Sequence, residues 1–240
     1  MRKMVNNYVR GFLGALALVL SATFTQLSYA DTIAMIGTGD VGSALGKNWS
    51  TRGHTIVYGS RNPTSESTQA LVAATTGNAS ATTPAEAVVG ADVVVVAVPW
   101  AVGEEVVAGL GDLSGKIVID PTNPRDINEA GLSVPPSLES STEKFKKIAP
   151  NAMFAKTLNH IPAEYMEHSE TLGLNYHVSV AGDEAAITWV TAILNDMGFV
   201  PAVVGGIRET RLQEAFYSAT NNMRVLGDPH TVQFGTPPVR

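Results

Sequence analysis

Apolar residues in this chain fall in two kinds of block. Some are short continuous runs closed by glycine or proline. Others recur every three or four positions against a polar face. The first continuous run, residues 33–36, predicts a short buried strand. Behind it Ala44, Leu45 and Trp49 predict a helix of about three turns. Arg52-Gly53 ends that helix, with glycine free to take the left-handed C-terminal position. Residues 55–58 are a second, β-branched strand, completing a β–α–β unit.

The same alternation continues. A helix is expected around residues 65–75, closed by Gly77-Asn78, then a short strand near 79–81. Pro84 sits at a first helical turn and opens a short helix over 85–89. Residues 91–98 are apolar almost throughout, which marks a central parallel strand buried on both faces. Further elements are a helix over 102–110, a strand over 116–120 and a long polar loop over 125–141. Ser140-x-x-Glu143 is a capping box that opens a helix over 142–148. Strands follow at 151–158, 177–180 and 199–204, and helices at 184–197 and 208–220. No internal repeat is present. The expected fold is α/β, a Rossmann-type doubly wound and mostly parallel sheet over residues 31–150. A small C-terminal α/β lobe spans 151–220, and an irregular tail 221–240.

The chemistry enters at the end of the first strand. Gly37-Thr38-Gly39-Asp40-Val41-Gly42 fits G-x-G-x-x-G, with a strand before it and a helix after it. Gly37 permits the tight turn, Gly39 lets backbone approach a pyrophosphate, and Gly42 lets helix and strand pack closely. The helix N-terminus offers N–H groups and partial positive charge to the phosphates. At the end of the second strand an NAD site wants a carboxylate. This chain has Gly59-Ser60-Arg61 instead. Arg61 can pair a 2′-phosphate bidentately and Ser60 can donate to it, which favours NADP. The alternative is that Arg61 merely starts a solvated loop.

Taken together, these residues resemble the F420-dependent NADP oxidoreductases. The resemblance is carried by the glycine fingerprint, Gly53-His54, Gly59-Ser60-Arg61, Val96-Ala97-Val98-Pro99-Trp100 and Asp120-Pro121-Thr122-Asn123-Pro124. Lys156-Thr157-Leu158-Asn159 and Val180-Ala181-Gly182-Asp183 extend it. The N-terminal part is also similar to pyrroline-5-carboxylate reductases. The resemblance implies NADP on Gly37 to Gly42, with the 2′-phosphate at Thr38, Ser60 and Arg61. It implies the backbone of Ala97, Val98 and Pro99 along the nicotinamide. A deazaflavin (coenzyme F420) or flavin acceptor would stack near Trp100, Asn123 and Asn159. Hydride passes from ring to ring in such enzymes, so alignment matters and no catalytic His, Lys or Tyr is required. One departure stands out: no further basic residue follows Arg61 until Lys116.

Several residues carry two readings. His160 either faces the bound rings or bonds locally in its loop. Trp100 either roofs the nicotinamide or packs below the strand end. Asn123, held between prolines at a strand end, is placed to meet ligand. Asp183-Glu184 reads as the first turn of a helix, and Lys144, Lys146 and Lys147 as a solvated helix face. The remaining histidines lack metal-ligand spacing.

Composition changes the picture in two ways. The 240 residues are 45% apolar and 16% charged, with net charge −6 and no cysteine. No basic stripe exists, so nucleic acid is not an expected partner. Disulfides, thiol catalysis and cysteine–metal sites are excluded. The first 30 residues have the anatomy of a secretory signal peptide: Arg2, Lys3 and Arg10, an apolar core, then Ser28-Tyr29-Ala30. Cleavage after Ala30 would give a periplasmic or secreted domain with no stable membrane insertion. The expected partner is a small-molecule acceptor, and a homodimer stays open. The rival to an exported reductase is an exported, non-catalytic dinucleotide-binding protein.

Overall fold

The structure is a computed structural model and describes residues 30–134, 138–172 and 176–226. The predicted leader therefore lies outside the described residues, apart from Ala30. The chain order is β1 (Thr32–Ile36), α1 (Asp40–Ser50), β2 (Thr55–Gly59), α2 (Glu66–Ala74), β3 (Ala79–Thr82), α3 (Pro84–Val88), β4 (Val93–Val96) and α4 (Gly103–Gly109). It continues with β5 (Ile117–Asp120), α5 (Ser141–Ile148), β6 (Met153–Thr157), α6 (Ala163–Glu167), β7 (His177–Gly182), α7 (Glu184–Asp196), β8 (Val200–Gly205) and α8 (Thr210–Val225).

All eight strands form one sheet in the order β3-β2-β1-β4-β5-β6-β7-β8. Every pairing is parallel except β6 with β7. The order reverses between β1 and β4, where an open α/β sheet leaves a crevice beyond its strand ends. The C-terminal segment, expected as a lobe, supplies β6 to β8 and continues this sheet through the β5–β6 pairing.

Strand alternation explains the two-faced core. Ile33, Met35, Val93, Val95 and Ile119 point to one face, where Leu45 and Trp49 of α1 and Val190 and Leu194 of α7 cover them. Ala34, Ile36, Val94, Val96 and Val118 point to the other, under Val107 of α4 and Phe145 of α5. Helices thus close both faces, as the continuous apolar runs require.

The capping box forms as read: Ser140 Oγ accepts from Glu143 N at 3.2 Å, and Glu143 Oε2 accepts from Ser140 N at 2.9 Å. Asp183 is the N-cap residue of α7, which bears out the helix-start reading of Asp183-Glu184. Two expectations differ. The segment 221–225, read as the start of an irregular tail, is helical and completes α8; from residue 227 the tail lies outside the described residues. The three lysines of α5 are not simply solvated. Lys144 pairs with Glu104, Lys147 with Glu139, and Lys146 bridges Ala152 O and Asp183 Oδ2. Lys146 is thereby a tie between α5 and the β6–β7 region.

Candidate functional site

The site begins with the elbow between β1 and α1. Gly37 has φ +112°, and an added Cβ would collide with the carbonyl oxygen of Ala97. At Gly42 an added Cβ would strike the carbonyl oxygen of Gly37, so α1 packs directly on the turn. Gly39 is the opposite case: nothing lies within 4 Å of an added Cβ, and the residue is exposed. It is also the N-cap of α1 and has no side-chain cap. The first N–H groups of this helix are therefore left for a partner, whereas Ser65 and Ser140 cap α2 and α5 with their own side chains. The tight-turn role expected of Gly37 and the close-packing role expected of Gly42 each have a counterpart in these contacts.

The second strand end lies against this elbow. Gly37 N–H donates to Gly59 O at 3.0 Å, and Ile36 pairs with Gly59 in the sheet. Ser60 and Arg61 follow directly. Ser60 is buried, and its Oγ lies 3.2 Å from Asn62 N and 3.3 Å from Thr68 Oγ1. Arg61 is exposed and makes no hydrogen bond or ion pair among the described residues. A free guanidinium thus stands a few residues from an open, uncapped helix start. The residues present fit a 2′-phosphorylated dinucleotide.

Beyond the switch point opens a cleft of about 680 Å³. Gly39, Asp40 and Val41 line one end; Ala97, Val98, Pro99 and Trp100 follow β4. Asn123 after β5 and Asn159 after β6 form the floor, and Phe216 and Tyr217 of α8 form the far wall. Nine of the fourteen predicted site residues thus line one cleft. Thr38, Gly37, Gly42, Ser60 and Arg61 are not part of its lining. Trp100 meets Lys144, whose Nζ lies 5.3 Å from the ring centroid.

The two asparagines are engaged with each other. Asn159 Nδ2 donates to Asn123 Oδ1 at 2.8 Å and reaches Gln213 O at 3.2 Å, while Asn123 Nδ2 donates to Asn159 O. Their amides clamp the β5 and β6 loops to α8. Leu158 makes the β6 loop turn: it is buried at φ +62°, a conformation that costs strain in a non-glycine residue. That turn delivers Asn159 and His160 to the cleft.

His160 stands edge-on to Phe216 at 6.1 Å and lines the cleft. Burial pushes its pKa down to about 4, against a smaller opposing effect from the His177 backbone. The ring is therefore neutral at ordinary pH. Its folded pKa lies below the unfolded value near 6.5, so its contribution to stability is full above pH 6.5 and is lost as pH falls toward 4. The His160 ring signals in an NMR titration are expected to move with a midpoint near 4; a midpoint near 6.5 would show a solvated ring.

Beneath the floor lies a buried ionic cluster that sequence reasoning missed. Lys156 Nζ is 2.9 Å from Asp120 Oδ2, 3.0 Å from Glu214 Oε1 and 2.8 Å from Thr122 O. None of the three charged side chains is more than 1% exposed. Burial pushes the Asp120 carboxyl up, but Lys156 and the Ser141, Thr122 and Thr142 hydroxyls outweigh it and hold it below the usual carboxylate range. A lysine inside the apolar run of β6 was the available signal.

Comparison with known proteins agrees with this geometry. Residues 32–124 match the family described as NADP oxidoreductase, coenzyme F420-dependent. A protein of known structure from Arthrobacter sp. FB24, provisionally described as an F420-dependent NADP reductase, is 25% identical with a TM-score of 0.73. The match covers 82% of this chain and 95% of that one. A hypothetical protein from Sinorhizobium meliloti is 26% identical, TM-score 0.62, over 74% of this chain and 86% of that one. A reductive aminase from Aspergillus terreus, solved with NADPH, shares the fold at 16% identity and TM-score 0.57, over 77% of this chain and 59% of that one.

Proposed function

We propose that this chain, which belongs through residues 32–124 to the coenzyme F420-dependent NADP oxidoreductase family, binds NADP(H) at the Gly37–Gly42 elbow and exchanges hydride with a flat acceptor. The observation that carries this reading is the open, uncapped α1 N-terminus at Gly39 with the unpaired Arg61 guanidinium on the neighbouring strand end.

In this reading the amides at Gly39 to Gly42 hold the pyrophosphate, with Arg61 on the 2′-phosphate. Ser60 has its hydroxyl engaged in the loop and acts chiefly by fixing the backbone that carries Arg61. The backbone of Ala97, Val98 and Pro99, with Trp100, borders the nicotinamide. NADPH would supply the hydride; the protein supplies alignment. The acceptor, a deazaflavin or flavin, lies against Trp100, His160, Phe216 and Tyr217, whose faces suit a planar ring. Asn123 and Asn159 border the same space, and their mutual clamp fixes its floor. The neutral His160 adds no charge to it. The leader makes the working location periplasmic or secreted.

Arg61→Glu is expected to weaken NADPH binding at least about tenfold and to leave NADH binding nearly unchanged. Titration of both nucleotides followed by fluorescence tests this; equal NADPH affinity in the variant would remove Arg61 from the site. Screening deazaflavin, flavin and ferric acceptors then follows loss of nicotinamide absorbance. Tight NADPH binding with no oxidation by any of them would favour the non-catalytic nucleotide-binding protein.

A further inference from the structure

Helix α8 is built the wrong way round for a surface helix. Its buried residues, Thr210, Gln213, Glu214 and Ser218, are all polar or charged. Gln213 Nε2 donates to the backbone of β6 and β7, at Lys156 O and Ser179 O, so this polar side faces the sheet. A second side, with Phe216, Tyr217, Thr220 and Arg224, lines the cleft. The outward side carries Leu212, Ala215, Ala219, Met223 and Leu226, which recur at intervals of three or four and so form one stripe. Leu212 is 61% exposed and Leu226 72%; Ala215 and Ala219 are exposed and Met223 is half-buried. A helix that faced only water on this side would be polar there.

The stripe is self-complementary. Ala219 is its midpoint: Leu212 and Leu226 stand at equal separations before and after it, as do Ala215 and Met223. Two copies of α8 laid antiparallel about a two-fold axis at Ala219 set Leu212 of each against Leu226 of the other, and Ala215 against Met223. The small residue at the crossing lets the two backbones approach. A two-fold interface requires this match of a patch with itself. Opposed helix dipoles favour the same direction, and no charged residue lies in the stripe to repel its copy. Arg211, which flanks it, is compensated by Glu143.

The surface is large enough for a reversible contact. The helix has 16 residues, about 24 Å of length. Beside its C-terminal half, Asn221 and Asn222 hold Ser133, and Ser133 pairs with Ile127. Ile127 and Val134 add exposed apolar side chains to that end. Together these side chains amount to on the order of 500 Å² per copy, which puts the pair at about 1,000 Å² in total, the lower bound of a specific interface.

We propose that a second copy of this chain covers the outward stripe of α8, the two helices antiparallel and crossing at Ala219. The pairing is independent of the nucleotide reading. Because the same helix presents Phe216 and Tyr217 to the cleft, it also braces the cleft's far wall.

Sedimentation equilibrium of the purified protein tests this, and a dimer that dissociates on dilution is expected. Ala219→Glu and Ala219→Lys change an exposed side chain, so both should fold. Each sets like charges face to face on the axis and is expected to raise the dissociation constant at least about tenfold. An equimolar mixture of the two is expected to restore the dimer, because residue 219 then meets the opposite charge. The chain has no cysteine, so Ala219→Cys gives a second readout: it is expected to form a disulfide-linked dimer on mild oxidation, and Val89→Cys, exposed on α3, is not. A wild-type protein that is monomeric at about 0.1 mM, where an interface of this size is populated, overturns the inference and gives the face to another occupant, such as residues 227–240 or a different protein. A dimer that neither charge variant weakens overturns it by placing the interface elsewhere. Weakening without rescue in the mixture overturns the crossing at Ala219.

Discussion

Lys156→Met is expected to cost about 3–5 kcal/mol of folding stability, because it leaves two buried carboxylates without their counter-charge. Asp120 and Glu214 both lie within hydrogen-bond distance of Lys156 Nζ, and neither reaches water. Met matches the length of the stem but offers no donor. Such a loss is a large share of the 5–15 kcal/mol typical of a domain. The pH dependence carries the signature. One carboxyl of the variant must take up a proton on folding, so its folded pKa rises above the unfolded value. The variant's stability is then greatest at low pH and falls as pH rises through that raised value. In the wild type the Asp120 carboxyl is held low, so its contribution is present above its unfolded pKa and is lost as pH falls. Urea unfolding at pH 5 and pH 8 tests the sign for the variant, and unfolding at about pH 3 against pH 5 tests it for the wild type, since unfolded Asp titrates at about 3.9. A variant as stable as wild type at pH 8 would show that the cluster carries no unpaired charge when Lys156 is gone.

The contrast between Lys156 and the glycine elbow shows what the sequence can carry. The β1–α1–β2 unit was legible because every signal in it is local: an apolar run, three spaced glycines, a helical period and a second run. The same holds for the Ser140 capping box and for the Pro84 helix start. Strand order beyond β5 was not legible. Whether β6 to β8 form a lobe or extend the sheet depends on the β5–β6 pairing, and β7 turns antiparallel there. The helix Ala163–Glu167 is only five residues long and sits between Pro162 and His168, too short to show a period. Asn123 and Asn159 follow strand ends and line the cleft. That their amides bind each other is a tertiary fact no spacing reveals. Glu214 lies on a helix far along the chain from Lys156, so only the fold brings them together.

Gly39→Val is expected to separate binding from folding. An added side chain at Gly39 meets nothing within 4 Å, and the backbone there, φ −78° and ψ −169°, suits any residue. Loss of a favourable N-cap residue costs stability by no more than about 1 kcal/mol. The bulk does, however, fill the approach to the first N–H groups of α1, which is where a pyrophosphate would lie. NADPH affinity is therefore expected to fall at least about a hundredfold, by loss of two or more charge-assisted hydrogen bonds, while the melting temperature stays near wild type. Gly37→Ala is the control with the opposite profile. Its φ of +112° and its contact with Ala97 O leave no room for a methyl group, so stability and binding fall together. Thermal melts and NADPH titrations on the same samples read both quantities. If Gly39→Val keeps its NADPH affinity within about threefold of wild type, the helix start does not cradle phosphate, and the cleft beyond it needs another occupant.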